Sequence, residues 1–182
     1  SPRFIAHDGN GIVITEKSWP QGTKLGHDGA IEHLFDFGGS GVMEGYEIRA
    51  AGHRVVHGGT LFTGPVLVDE SVVESLEKLV PLAPLHQPYN IEAIRAVSKR
   101  APHLPQVACF DTSFHRTQSD LERTYAIPRR YTEEGVRRYG FHGLSYEYIT
   151  SVLHKYDDNL ASGGRVVIAH LGNGASMCAV KA

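Results

Sequence analysis

Apolar and polar positions change their period several times along the 182 residues, and each change marks an element. Phe4-Ile5 and Ile12-Val13-Ile14 flank Asp8-Gly9-Asn10-Gly11, which predicts two strands joined by a hairpin turn before Ser18. Ile31, Leu34 and Phe35 fall at helical spacing, predicting a helix from an Asp28 cap through Phe37. Tyr46 to Val56 is mostly apolar and reads as a strand stopped by Gly58-Gly59. Ser71 with Glu74 is a capping-box signature for a helix carrying Val72, Leu76, Leu79 and Val80. Pro81, Pro84 and Pro88 then interrupt regular structure and place His86 on a stiff, extended connection. Asn90 caps a further helix with Ile91, Ile94 and Val97 on one face, ending before Pro102.

Gln106 to Phe110 and Arg165 to Ala169 are short apolar runs that predict buried strands, the first with Asp111 at its carboxyl end. Met177 to Val180 reads as the hairpin partner of the second. Thr132 to Arg138 and Ser145 to His154 read as helices separated by a turn over Gly140–Gly143, and the polar stretch Ser119 to Glu134 as an exposed excursion. Strands alternating with helices predict an α/β architecture, with a candidate domain boundary at Asp111 to Arg116.

Charge narrows the function classes. Lys plus Arg number 18 and Asp plus Glu 20, a net charge of -2, so no broad basic field exists for nucleic acid or anionic membranes. Any phosphate binding must be local. Cys109 and Cys178 sit in apolar stretches and read as buried thiols of a reducing compartment. With no apolar run of about 18 residues and no leader-like start, a soluble, cytoplasmic protein is expected. The 20 glycines cluster beside side chains capable of chemistry, and the 11 histidines are scattered.

Those side chains define the candidate site. Arg54, near a strand end before His57-Gly58-Gly59, offers a planar fork for carboxylate or phosphate, or forms a structural salt bridge. His86 is held between prolines and either binds a ligand or caps a carbonyl. Asp111 stands where α/β folds open their clefts and could orient an arginine, hold Mg²⁺ through water, or cap a turn. His142 lies between glycines that permit close ligand approach, as a charge-stabilising donor or an exposed turn residue. His170-Leu-Gly172-Asn173-Gly174 follows a strand, and its turn could form an anion nest or a plain hairpin bend. A Gly-x-x-x-x-Gly-Lys-Ser/Thr loop is absent. His53 and His57 on one strand would be about 13 Å apart, too far to share a metal, and no metal ligand is assigned.

In this order, His53 to Gly59, Leu82 to Pro88, Phe110 to His115, Arg138 to Gly143 and His170 to Ser176 resemble the acetate kinase family, which transfers phosphoryl groups between ATP and short carboxylic acids. Gln87 stands where the family usually has asparagine, and Leu144 and Tyr146 where threonine and histidine are common, positions expected to affect packing more than chemistry. The resemblance implies an actin-like ATPase, ribonuclease-H-like two-domain kinase fold. Residues 1–111 would form most of the N-terminal, acyl-binding domain and residues 112–182 the beginning of the C-terminal, nucleotide-binding domain.

It further implies that Arg54 binds the substrate carboxylate, Val56 and Leu85 line the pocket for the acyl methyl group, and His86 contacts phosphoryl or carboxylate oxygens. Asp111, His142 and Arg54 form the implied catalytic set. Asp111 is expected to position Arg54 and magnesium, since an ionised acid needs no base. His170, Gly172, Asn173 and Gly174 are expected to bind the nucleotide phosphates. ATP and Mg²⁺ are the implied cofactors, acetate and ATP the small-molecule partners, and a homodimer the full-length assembly. The family's leading strand with its asparagine and serines, a second arginine, a magnesium-binding glutamate and the adenosine pocket lack counterparts. The chain therefore reads as an internal fragment truncated at both ends, inactive by itself. Propionate or butyrate as the acceptor, and a non-catalytic anion-binding module, are the alternatives.

Overall fold

In the computed structural model, which describes residues 1–41 and 44–181, the first hairpin forms as its turn residues direct. Strand β1 (Arg3–His7) pairs antiparallel with β2 (Val13–Ser18). Asp8 Oδ1 accepts the amides of Asn10 at 2.9 Å and Ile12 at 2.8 Å, closing the turn. Helix α1 (Gly26–Gly38) begins two residues before Asp28, with Leu25 as its cap and no capping side chain. Asp28 instead lies in the first turn, where its charge meets the positive end of the helix dipole. Leu34 faces solvent rather than sharing a buried face with Ile31 and Phe35.

The central sheet has three strands. Strand β3 (Ala51–Val55) is shorter than its apolar run, and the residues from 44 to 50 form no strand. It runs parallel to β5 (Gln106–Phe110), whose other edge carries the antiparallel β4 (Val66–Leu67). Between β3 and β5 the chain crosses over through α2 (Glu70–Lys78) and α3 (Gln87–Arg100). A core of Val55, Val72, Val73, Leu76, Ile91, Ile94, Ala108 and Phe110 joins these helices to the sheet. Phe62 stacks on Phe110 with centroids 4.8 Å apart. Sheet and helices thus bury one continuous apolar seam, which fixes the carboxyl ends of β3 and β5 side by side.

Three local expectations change. Asp69, not Ser71, caps α2: its Oδ1 accepts the Val72 amide at 2.9 Å and the Ser71 hydroxyl at 2.7 Å. A carboxylate two residues upstream outcompetes the hydroxyl for the orphan amide. The proline segment is not extended. A 3-10 turn at Val80–Leu82 leads through tight turns to α3, whose first turn accepts Pro88 because its missing N–H would have no partner there. His86 occupies the cap position, and Asn90 lies inside the helix.

Beyond β5, short helices α4 (Asp120–Arg123) and α5 (Arg129–Glu133) form the exposed excursion. The helix expected to continue to Arg138 ends at Glu133, where Gly135 turns the chain with φ 93°. Helix α6 (Gly143–Val152) starts two residues before Ser145, followed by the short α7 (Asp158–Ala161). Strands β6 (Arg165–Leu171) and β7 (Ala175–Lys181) make a separate antiparallel pair. That β6 strand is not a buried strand: in a two-stranded sheet only Ile168 is buried, and Val167 and Leu171 face solvent. Cys109 and Cys178 are free and half-buried, not fully buried.

Candidate active site

Parallel pairing sets Arg54 on β3 opposite Cys109, two residues before Asp111. The Arg54 side chain reaches past the strand end to the Asp111 carboxylate. Nη2 donates to Oδ2 at 2.7 Å, and Nε donates to Oδ1 and Oδ2, each at 3.1 Å. Asp111 is 1% exposed and Arg54 60%. A buried carboxylate thus anchors one edge of an open guanidinium. The hydrogen bonds to Asp111 raise the Arg54 pKa further above its ordinary value. Among the described residues no hydrogen bond engages Arg54 Nη1, so the Nη1–Nη2 edge remains as a free planar fork.

The surrounding backbone is held by side chains. Asn90 Oδ1 accepts the Val56 amide at 3.0 Å, and Thr112 Oγ1 accepts the Gly58 amide at 3.0 Å. Buried Gln87 donates from Nε2 to the His57 carbonyl at 3.1 Å. His57, 1% exposed, packs its ring edge against Tyr139 and takes the Gly59 amide on Nδ1 at 2.9 Å. Burial lowers the His57 pKa.

The second wall is His142. It sits at the cap of α6 with φ 58°, the one positive-φ non-glycine residue among those described. Its neighbour Gly143 donates its amide to the Asp111 carbonyl at 2.9 Å, and a Cβ on Gly143 would overlap that carbonyl oxygen. Only glycine permits this approach, which ties α6 to the end of β5. The His142 ring stacks on His170, centroids 4.0 Å apart and 15° from parallel. Burial first, then the nearby His170, lowers the His142 pKa; Arg54 and His115 act in the same direction and Asp111 opposes them.

The Gly172–Gly174 turn adjoins this pair. A Cβ on Gly174 would stand 3.6 Å from His142 Nε2, and one on Gly172 3.9 Å from His170 Nε2. Neither glycine has a positive φ, so the turn is not an αR–αL nest. Its three amides, from Gly172 to Gly174, nonetheless make no hydrogen bond among the described residues, and all three residues are exposed.

Arg54, Asp111, His142, His170 and the Gly172–Gly174 turn therefore gather at one place. Leu85 and His86 do not join them through any described hydrogen bond, and Leu85 is 78% exposed, so no closed pocket forms with half-buried Val56. Larger cavities lie elsewhere, one of about 490 Å³ lined by Asp28, Glu77, Val80, Ile91, Arg95 and Lys99 among others. No group of three or more His, Cys, Asp or Glu among the described residues converges on a metal position.

Gln87, Asn90 and Tyr146 hold this site, although the sequence marks the first and last only as departures from the family pattern and Asn90 only as a helix cap. The buried Tyr146 hydroxyl bonds Ser176 Oγ, so the departure at position 146 touches the site as well as the packing. Its signal was present: Tyr146 lies four residues after His142, one helical turn away.

A family model described as the acetokinase family matches residues 10–182. Acetate kinase of Nitrobacter hamburgensis is 58% identical over 188 residues, covering 99% of this chain and 44% of its own length. The solved acetate kinase of Entamoeba histolytica superposes with TM-score 0.80 at 36% identity, covering 99% of this chain and 44% of that one. A solved propionate kinase from Francisella tularensis superposes with TM-score 0.78 at 39% identity, over 91% and 42%. The α/β fold, of the actin-like class the motifs imply, is shared with these structures. The chain spans about 44% of the length of the curated relatives it matches.

Proposed function

The chain belongs to the acetokinase family, and on that premise we propose that the protein transfers the terminal phosphoryl group of ATP to acetate, reversibly, giving acetyl phosphate and ADP. The observation that carries this reading is the Arg54 fork anchored on buried Asp111 beside His142 and an unpartnered glycine turn. The free Nη1–Nη2 edge matches the two oxygens of a carboxylate. One acetate oxygen attacks the γ-phosphorus, a P–O bond forms, and the bond to the ADP oxygen breaks. Arg54 binds and orients the acid, His142 Nε2 donates to the transferred phosphoryl oxygens, and the Gly172–Gly174 amides with His170 take the nucleotide phosphates. Asp111 holds Arg54. No proton needs removal, because the acid is ionised at neutral pH.

Magnesium is part of the family resemblance, where it would neutralise nucleotide charge. Among the described residues no three His, Cys, Asp or Glu converge on a metal position, but the Asp111 oxygens that accept from Arg54 keep lone pairs through which Asp111 would hold magnesium by way of water, and no step is assigned to the ion. Val56, Leu85 and His86 complete the proposal as acyl-pocket and oxyanion contacts. Propionate is the second acceptor to test, given the likeness to a propionate kinase. The division at residues 111 and 112 is supported by sheets that do not cross it, β3-β5-β4 before and β6-β7 after. No helix among the described residues is long and apolar enough to cross a membrane. A homodimer in the cytoplasm is part of the same proposal and rests on the resemblance.

The test completes these 182 residues with the parts of the Nitrobacter hamburgensis relative that they do not match, on both sides, and assays acetyl phosphate formation from ATP and acetate. Turnover that depends on Arg54 is expected. A folded chimera that phosphorylates none of acetate, propionate and butyrate would remove the proposal.

A further inference from the structure

His142 and His170 are stacked face to face, and each receives a hydroxyl on its Nδ1. Ser176 Oγ lies 2.8 Å from His142 Nδ1, and Ser145 Oγ 3.1 Å from His170 Nδ1. Ser176 is in turn bonded by the Tyr146 hydroxyl. Tyr146 is 1% exposed and its ring is fixed against Phe114 and His115. The chain Tyr146–Ser176–His142 thus links α6, β7 and the left-handed residue at the head of α6.

Its polarity follows from acidity. A phenol, with pKa near 10, is a better donor than an alkanol, and the imidazole nitrogen is the best acceptor of the three. The phenol donates to Ser176 Oγ, and the Ser176 proton is then directed to Nδ1. A neutral imidazole has one donor and one acceptor nitrogen, so a Nδ1 that accepts leaves the proton on Nε2. That is the nitrogen beside Gly174.

We propose that Tyr146 is a positioning residue: through Ser176 it fixes His142 in the Nε2–H tautomer and aims that donor at the Gly172–Gly174 turn. The inference rests on the reading of His142 as a donor to the transferred phosphoryl group. A donor whose proton is already placed needs no reorganisation as charge develops on the phosphoryl oxygens. The other groups acting on His142 (His170, Asp111, Arg54 and His115) remain when the phenol hydroxyl is removed, so its effect can be isolated.

Tyr146→Phe keeps the ring and deletes the hydroxyl. Long-range nitrogen–proton NMR of the histidine-labelled 182-residue protein reads the tautomer directly. The wild type should show His142 almost wholly as Nε2–H above its pKa. Tyr146→Phe should show a Nδ1–H population of at least one fifth and a raised His142 pKa, because the neutral form loses its relay. Ser176→Ala should do the same, and Ser176→Thr, which keeps the hydroxyl, should restore the wild-type spectrum. If Tyr146→Phe does not fold, the serine pair carries the test. In the active chimera, Tyr146→Phe should lower kcat at least tenfold with KM for acetate and ATP within threefold. An unchanged tautomer in folded Tyr146→Phe, or in Ser176→Ala if only that folds, overturns the relay whatever the activity. A changed tautomer with unchanged kcat upholds the relay and overturns the phosphoryl-donor role of His142.

Discussion

In the proposed site a single guanidinium would serve two carboxylates, Asp111 and the acid, turning a different edge to each, and this divides the consequences of replacing it. Arg54 gives Nε and one Nη2 proton to Asp111 and keeps the outer edge for a ligand. Arg54→Ala should therefore lower kcat/KM for acetate by at least 10²-fold in the active chimera, since a lost charge contact in a transition state costs roughly 3 kcal/mol. Arg54→Lys should recover little of it, because an ammonium cannot grip Asp111 and present a planar fork together. Melting curves of both variants guard against loss of fold, and less than a threefold effect would take Arg54 out of the site. Val56 stands two residues on, its amide pinned by Asn90. Val56→Ala should shift preference from acetate toward propionate and butyrate by tens of fold at most, a methylene discriminating by about 1–3 kcal/mol. Relative kcat/KM unchanged across the three acids would mean that Val56 does not meet the acyl chain.

At the level of elements, the site is as rigid as the joint between α6 and β5. That joint is the Gly143 amide on the Asp111 carbonyl. Gly143→Ala forces a methyl into the carbonyl and should cost about 2 kcal/mol or more in urea unfolding. A change below about 0.5 kcal/mol would show that the joint yields. Where elements begin was the part least legible in the sequence. The run at Gln106–Phe110 named its strand to the residue, since one face is buried and the other half-buried, so Val107 to Phe110 is unbroken by a polar residue. The cap of α2 is Asp69 and not the expected Ser71 because both satisfy the local rule, and only the folded geometry selects one. Asn90 carries the signal of a cap, yet its amide group serves Val56 from inside α3, a contact 34 residues distant that no local pattern encodes. Of the candidate site, Arg54 and Asp111 at strand ends and His142 and His170 near glycines were legible as chemistry. Gln87 was not, because its partner lies 30 residues away along the chain, and of Tyr146 only the helical spacing from His142 was legible, its partner Ser176 lying equally far off.

For the whole molecule, two histidines tie stability to pH. The pKa values of His57 and His142 are lowered in the folded state, His57 by burial, His142 chiefly so. Between those depressed values and about 6.5, the unfolded chain binds more protons than the folded one, so stability rises with pH through this window. It is complete above about 6.5 and is lost as pH falls. The urea midpoint should drop from pH 8 to pH 5.5, and His57→Gln should shrink that drop; an equal drop in both proteins would excuse His57. Assembly order carries a further consequence. Arg54 and Asp111 are 57 residues apart in sequence, whereas each turn of α2 and α3 closes over four. Loop closure over that span costs roughly 2 kcal/mol more than closing a helical turn, and contacts so distant set the pace of folding. The fork thus exists only where that long span is closed, so an acid held on it as proposed would bind the folded chain alone and raise its resistance to unfolding.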